Sequence, residues 1–272
     1  MKKVGLHLRF KDSITEILLQ ALELNLSIFQ CFFTDFIRRK HIRLNQNIIN
    51  SFKDILNQFR HYYAHGSYLI NLAEDRDHRI LKLELELCKR LEFKYLILHP
   101  GAFRPSSQTL ADGIDCIVKN INVIMKTELD VILILENAAF GGNVIGGDIS
   151  HFDSIFARLD FPERVKFCFD TAHAYVYGYD LNDLAVQEQF LQMLKISPIG
   201  HFIQLLHLNN SNQESGSKID NHSILFEGKI RAQNLKNIAQ DVLFNEADII
   251  IEMPEVPIDF KKNIIKDVKH WF

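Results

Sequence analysis

Short apolar runs rich in Val, Ile, Leu and Phe recur along the chain, each followed by a longer segment whose apolar residues return at helical spacing. The runs occupy residues 4–8, 27–33, 62–66, 95–99, 131–136, 165–170, 202–208 and 248–253. They are nearly continuous rather than alternating, so both faces of each strand are covered, as in a parallel sheet wrapped by helices. The intervening segments supply those helices. Over 72–91, Leu83, Leu87 and Leu91 stack at four-residue spacing, and 181–194 has a similar helical pattern. Eight strand–helix repeats predict an α/β fold, a single (β/α)8 TIM barrel spanning residues 1–272 as one catalytic domain. The longest stretch without regular pattern, 209–231, carries Ser, Asn, Gly, Asp and His and reads as a functional loop.

Composition mainly excludes alternatives. A hydrophobic content of 47% with 24% charged residues supports a sizeable core and argues against disorder. The formal charge of −3 gives no global basic field pointing to nucleic acid, yet three divalent cations would add six positive charges and turn −3 into +3. Cys31, Cys88, Cys116 and Cys168 are scattered without a CxxC pair, which fits a reducing compartment. No apolar stretch approaches the roughly 18 residues of a membrane span, and none forms a signal-peptide core. The expectation is a soluble, cytoplasmic monomer with no membrane partner.

The chemistry lies where the strands end. Strands three to eight finish at or beside a potential metal ligand: His65, His99, Glu136, Asp170, His207 and Glu252. In a barrel the carboxyl ends of all strands meet at one face, so these six become neighbours around one pocket. Singly, each reads as an ordinary rim histidine or helix-capping carboxylate. Together, three carboxylates buried at one place require compensating cations. Asp170 and His173 can approach that pocket from adjacent positions, and Asp220 and His222 share one side of an extended loop. On spacing alone, His173 reads equally well as a cap residue, and Asp220 and His222 as a solvated loop.

Imidazole with carboxylate and no thiolate suits Zn2+, with Mn2+ or Fe as alternatives. Nine ligands exceed what one ion takes, so two or three ions are implied. Metals about 3.5–4 Å apart can share a hydroxide and clamp both oxygens of a phosphoryl displacement, which makes phosphodiester hydrolysis the natural chemistry.

Over nearly its whole length the chain resembles endonuclease IV, the apurinic/apyrimidinic (AP) endonuclease family 2 of the xylose-isomerase-like barrels. The matching segments, in order, are HGSYLINL from His65, LHPGAF from Leu98, ILEN from Ile134, FDTAHAYVYGYDL from Phe169, LLHLNNS from Leu205, GSKIDNH from Gly216 and IIIEMPE from Ile249. The resemblance implies three zinc ions: one on His65, His99 and Glu136, a second on Glu136, Asp170, His207 and Glu252, and a third on His173, Asp220 and His222. It makes Glu136 and Glu252 catalytic, through a hydroxide nucleophile held between the first two metals. The implied substrate is double-stranded DNA containing abasic sites, cut 5′ to the lesion to leave a 3′-hydroxyl in base-excision repair, with 3′-end trimming as a further activity. It also implies that Arg38, Tyr68 and Leu69 contact DNA; without it, Tyr68 reads as strand-end packing and Arg38 as a solvated cation.

The chain departs from the family after strand one, where it reads GLHLRFKDS, and after strand five, where it reads NAAFGGNVIGG. It also carries Asn210 in place of an Asp, and Phe226 in FEG in place of GEG. Two rival readings compete. A single-metal sugar isomerase or epimerase would use Glu136, Asp170, His207 and Glu252 but has no need of the other ligands. A catalytically impaired lesion binder would keep the barrel without turnover, against which stands the filling of all nine ligand positions.

Overall fold

The computed structural model describes residues 2–10, 12–35, 40–42, 44–76, 78–127 and 130–272. Eight parallel strands form a closed barrel: β1 (Val4–Leu8), β2 (Ile28–Phe32), β3 (His61–His65), β4 (Tyr95–Leu98), β5 (Ile132–Glu136), β6 (Val165–Asp170), β7 (Ile203–His207) and β8 (Asp248–Ile251). Each pairs with its sequence neighbours, and β8 closes on β1 with Val4 opposite Ile249. All eight expected strands are present, with ends within two residues of those read from the apolar runs.

Two layers of apolar side chains explain the continuous apolar strands. Outward-facing residues such as Leu6, Phe29, Leu96 and Leu133 pack under the helices in one large core. Inward-facing Ile28, Tyr63, Ile97, Ile134, Cys168, Leu205 and Ile250 fill the barrel itself. Beneath that plug, at the amino ends of the strands, buried Asp248 accepts from the Tyr63 hydroxyl at 2.7 Å and pairs with Lys3 at 2.8 Å and His61 at 2.6 Å.

The helices differ from expectation in two places. In 72–91 the helix is confined to Arg79–Leu91, and Leu83 is 42% exposed while Leu81, Leu85, Cys88 and Leu91 face the core. A four-residue step drifts about 40° around a helix, so a row of three such residues cannot all stay on the inner face. In 181–194 the helix is Leu184–Ile196, because the Asp183 side chain caps its first turn through Ala185 and Val186 N–H. Within the irregular 209–231 loop, Asn210–Ser211 pairs antiparallel with His222–Ser223, which folds the loop back over the barrel mouth. No helix among the described residues is long and apolar enough to cross a membrane.

Candidate metal centre

The barrel collects the strand-end residues as its geometry requires. His65, Glu136, Asp170 and His207 are the last residues of β3, β5, β6 and β7, and His99 and Glu252 follow β4 and β8 by one position. Glu136, Asp170 and His207 have no solvent exposure, His65 has 2%, and the Glu252 side chain retains 15%. Glu136 stands between two groups. Its Oε2 lies 3.0 Å from His65 Nε2 and 3.4 Å from His99 Nε2, while its Oε1 lies 2.7 Å from His207 Nδ1. On the far side, His207 Nδ1 is 3.8 Å from both Asp170 Oδ2 and Glu252 Oε2.

The two pairs left open by spacing join the same cluster. Asp170 does cap the helix Thr171–Tyr177, with Oδ1 accepting from His173 N–H at 3.0 Å, but its other oxygen faces the ring, 3.6 Å from His222 Nε2. Asp220 sits 3.4 Å from His173 Nε2 and 3.3 Å from His222 Nε2. Ligand atoms therefore come within metal-sharing range in the groups His65–His99–Glu136, Glu136–Asp170–His207–Glu252 and Asp170–His173–His222. A further grouping of Glu136 and His207 with Cys168 is explained by packing, since burial pushes the Cys168 thiol up to about 12 and keeps it protonated.

A cation fits this donor set on three counts. The ring nitrogens of three histidines that point away from the cluster are each committed: His65 Nδ1 to Gly66 O at 2.9 Å, His173 Nδ1 to Asn137 O at 2.9 Å, and His207 Nε2 to Gln30 Oε1 at 2.7 Å. Carbonyl oxygens only accept, so those nitrogens carry hydrogen and the opposite nitrogens face the carboxylates, ready to offer a lone pair once deprotonated. His99 Nδ1 and His222 Nε2 are buried without a hydrogen-bond partner among the described residues. Electrostatics adds the third count. Burial would raise the Glu136 carboxyl, but His207, His99 and His65 outweigh it and hold Glu136 well below the usual range. Glu252 follows the same logic: burial opposes ionisation, while His207 and His7 prevail. His99 runs the other way, since burial pushes it down to about 4 and keeps it a neutral donor.

Of the expected DNA-contacting residues, Tyr68 is 61% and Leu69 68% exposed, side by side at the rim, and the Tyr68 ring lies nearly parallel to that of His99 at 5.9 Å. Strand-end packing accounts poorly for so much exposed apolar surface. Arg38 lies outside the described residues. Two residues that strand-end reasoning passes over complete the cluster. Gln30, buried in β2, bonds His207, His7 and Glu252 through one side chain, and His7 of β1 lies 3.2 Å from Glu252. Of the departures, Phe226 packs against Trp271, and Asn210 is a buried loop hub.

Comparison with known proteins follows the same lines. Residues 18–272 match the family model described as xylose isomerase-like TIM barrel. The chain is 32% identical over 264 residues to "Probable endonuclease 4" of Nitrosopumilus maritimus, covering 93% of each chain. It is 28% identical over 278 residues to "Probable endonuclease 4" of Thermosipho melanesiensis, covering 98% of this chain and 97% of that protein. The crystal structure of endonuclease IV from Thermus thermophilus superposes with a TM-score of 0.82 at 25% identity, covering 99% of this chain and 98% of that one.

Proposed function

The chain belongs to the endonuclease IV family of xylose isomerase-like TIM barrels, and from that premise we propose that it is a zinc-dependent AP endonuclease that hydrolyses the phosphodiester 5′ to an abasic site and leaves a 3′-hydroxyl. The observation that carries the reading is the convergence of His65, His99, Glu136, Asp170, His173, His207, Asp220, His222 and Glu252 on one cluster with a carboxylate, Glu136, facing both sides of it. A single-metal isomerase would need only four of these. Divalent cations bound there would supply Lewis-acid stabilisation of the charge that develops on attacking and leaving oxygens.

The chain's own residues do the rest. Glu136 and Glu252, ionised at neutral pH, would attract and help hold the cations. Gln30, Gly66 O and Asn137 O hold three imidazoles in the orientation that presents a lone pair. Tyr68 and Leu69 form an exposed apolar pair that can replace stacking where a base is missing, the position in DNA that is cheapest to unstack. The catalytic unit is taken to be the whole barrel, residues 1–272.

A duplex oligonucleotide with one abasic site, incubated with the metal-loaded protein, should be nicked 5′ to the lesion. A chelator should stop the reaction, and His207→Ala should abolish it. Activity on a ketose with one metal per chain would replace this reading with the isomerase, and tight lesion binding without nicking in excess zinc would replace it with a lesion binder.

A further inference from the structure

We propose that Arg9, together with the Nε2–H of His7, forms a phosphate subsite beside the metal cluster that holds a backbone phosphate of the lesion-bearing strand; the inference rests on the nuclease reading above. Arg9 directly follows β1, and with His7, Tyr68, Asp220, His222 and Glu252 it lines a cavity of about 340 Å3 at the carboxyl face of the barrel.

Two independent features of this cavity select an oxyanion. Arg9 is exposed and makes no ion pair among the described residues, although the carboxylates of Asp220 and Glu252 line the same space. The second feature is the orientation of His7. Glu252 only accepts, so the Gln30 amide nitrogen faces it and also faces His7 Nδ1 at 2.8 Å. His7 Nδ1 also lies 3.2 Å from Glu252 Oε1, but the closer amide nitrogen of Gln30 has a hydrogen for each of them, so Nδ1 accepts from Gln30 and Nε2 carries the hydrogen. That Nε2 is shielded from solvent and has no hydrogen-bond partner among the described residues, the kind of unsatisfied donor that a ligand oxygen relieves. With cations offsetting Asp220 and Glu252, the cavity is lined by a guanidinium fork and by the ring whose N–H is left unpaired. A phosphodiester supplies two non-bridging oxygens in the geometry such a fork prefers. Arg9, in the GLHLRFKDS stretch, thus places a charge at the mouth of the site.

The test is equilibrium binding, not turnover. Fluorescence anisotropy of the metal-loaded protein on the nicked abasic product duplex, which holds no scissile bond at the lesion, is followed across KCl concentrations for wild type, R9A and R9K, with metal content measured in each. For R9A the expected result is roughly tenfold weaker binding and a slope of log Kd against log [KCl] smaller by about 0.9, one phosphate's share. R9K should retain most of the slope, both variants should keep the wild-type metal content, and undamaged duplex should show a clearly smaller change. Unchanged affinity and slope in R9A overturn the subsite. An equal loss on undamaged duplex also overturns it, since Arg9 would then be a rim cation. Wild-type protein that binds abasic and undamaged duplexes alike overturns the subsite and the nuclease reading together, whereas a wild-type preference with R9A unchanged removes the subsite alone.

Discussion

Gln30 Oε1 lies 2.7 Å from His207 Nε2, and this contact decides which edge of the His207 ring meets the carboxylates. The amide nitrogen of Gln30 faces Glu252, so its oxygen must receive the Nε2–H. The Nδ1 lone pair is then left 2.7 Å from Glu136 Oε1, a contact that is repulsive until a proton or a cation lies between them. Gln30→Leu removes its hydrogen bonds to His207, Glu252 and His7 without adding charge. Its metal affinity, measured by competition with a chromophoric chelator, should fall by about 10–100-fold. Affinity equal to wild type would mean that His207 is oriented by packing alone.

Metal binding should release protons at pH 7. In the metal-free protein, burial alone would lower His173 and His207. Asp170 and Asp220 around His173, and Cys168, Glu252 and Glu136 around His207, outweigh burial and raise both well above the ordinary histidine value. His65 is raised in the same way by Glu136. His173 and His207 hold their protons at neutral pH and must lose them to coordinate, so affinity climbs as pH rises toward and through their pKa values and falls on acidification. His99, pushed down to about 4, contributes no proton. Calorimetry in buffers of different protonation enthalpy should give a net release of about two protons or more. A release of zero would contradict the assignment of these histidines as ligands.

What could be read without coordinates follows from how the barrel is built. The strands announce themselves because burial on both faces leaves no polar alternation, and a polar residue closing such a run falls at the mouth of the barrel; hence His65, His99, Glu136, Asp170, His207 and Glu252. Gln30 and His7 also sit in strands, but each reads as a polar interruption until its partner is known, and the partner of Gln30 is 177 residues away. Spacing could not separate the capping and ligating readings of Asp170 because both hold: one oxygen caps a helix and the other faces His222. Leu83 misled because four-residue spacing drifts across a helix face.

Asn210 illustrates the converse, a family departure that looks like a loss and is a structural hub. It is 1% exposed; its amide nitrogen donates to Leu225 O at 2.7 Å and Ile230 O at 2.8 Å, and its oxygen accepts from Ser211 and Ile230 N–H at 2.8 Å each. Gly228 makes room for it, because a Cβ there would stand 2.4 Å from the Asn210 oxygen. A carboxylate cannot donate, so Asn210→Asp would set negative oxygen against two carbonyls. The expected cost is about 3 kcal/mol, seen as a lower urea midpoint. An unchanged midpoint would show that the loop accepts either residue.

The amino end of the barrel should separate stability from activity. Asp248 opens β8 at 1% exposure and joins Tyr63 of β3, His61 of β3 and Lys3 just before β1, so one side chain ties together strands on both sides of the closure. The layer of Ile28, Ile97, Ile134, Leu205 and Ile250, with Tyr63 and Cys168, lies between it and the metal-binding face. Asp248→Ala leaves the Lys3 and His61 donors and the Tyr63 hydroxyl without their acceptor, and should lower unfolding free energy by about 3 kcal/mol. The five aliphatic side chains of that layer are close-packed and offer no hydrogen-bonding groups. Metal content and nicking rate per folded molecule should therefore match wild type at temperatures below the transition. A loss of activity in protein that remains folded would mean that the two ends of the barrel are coupled through the strands.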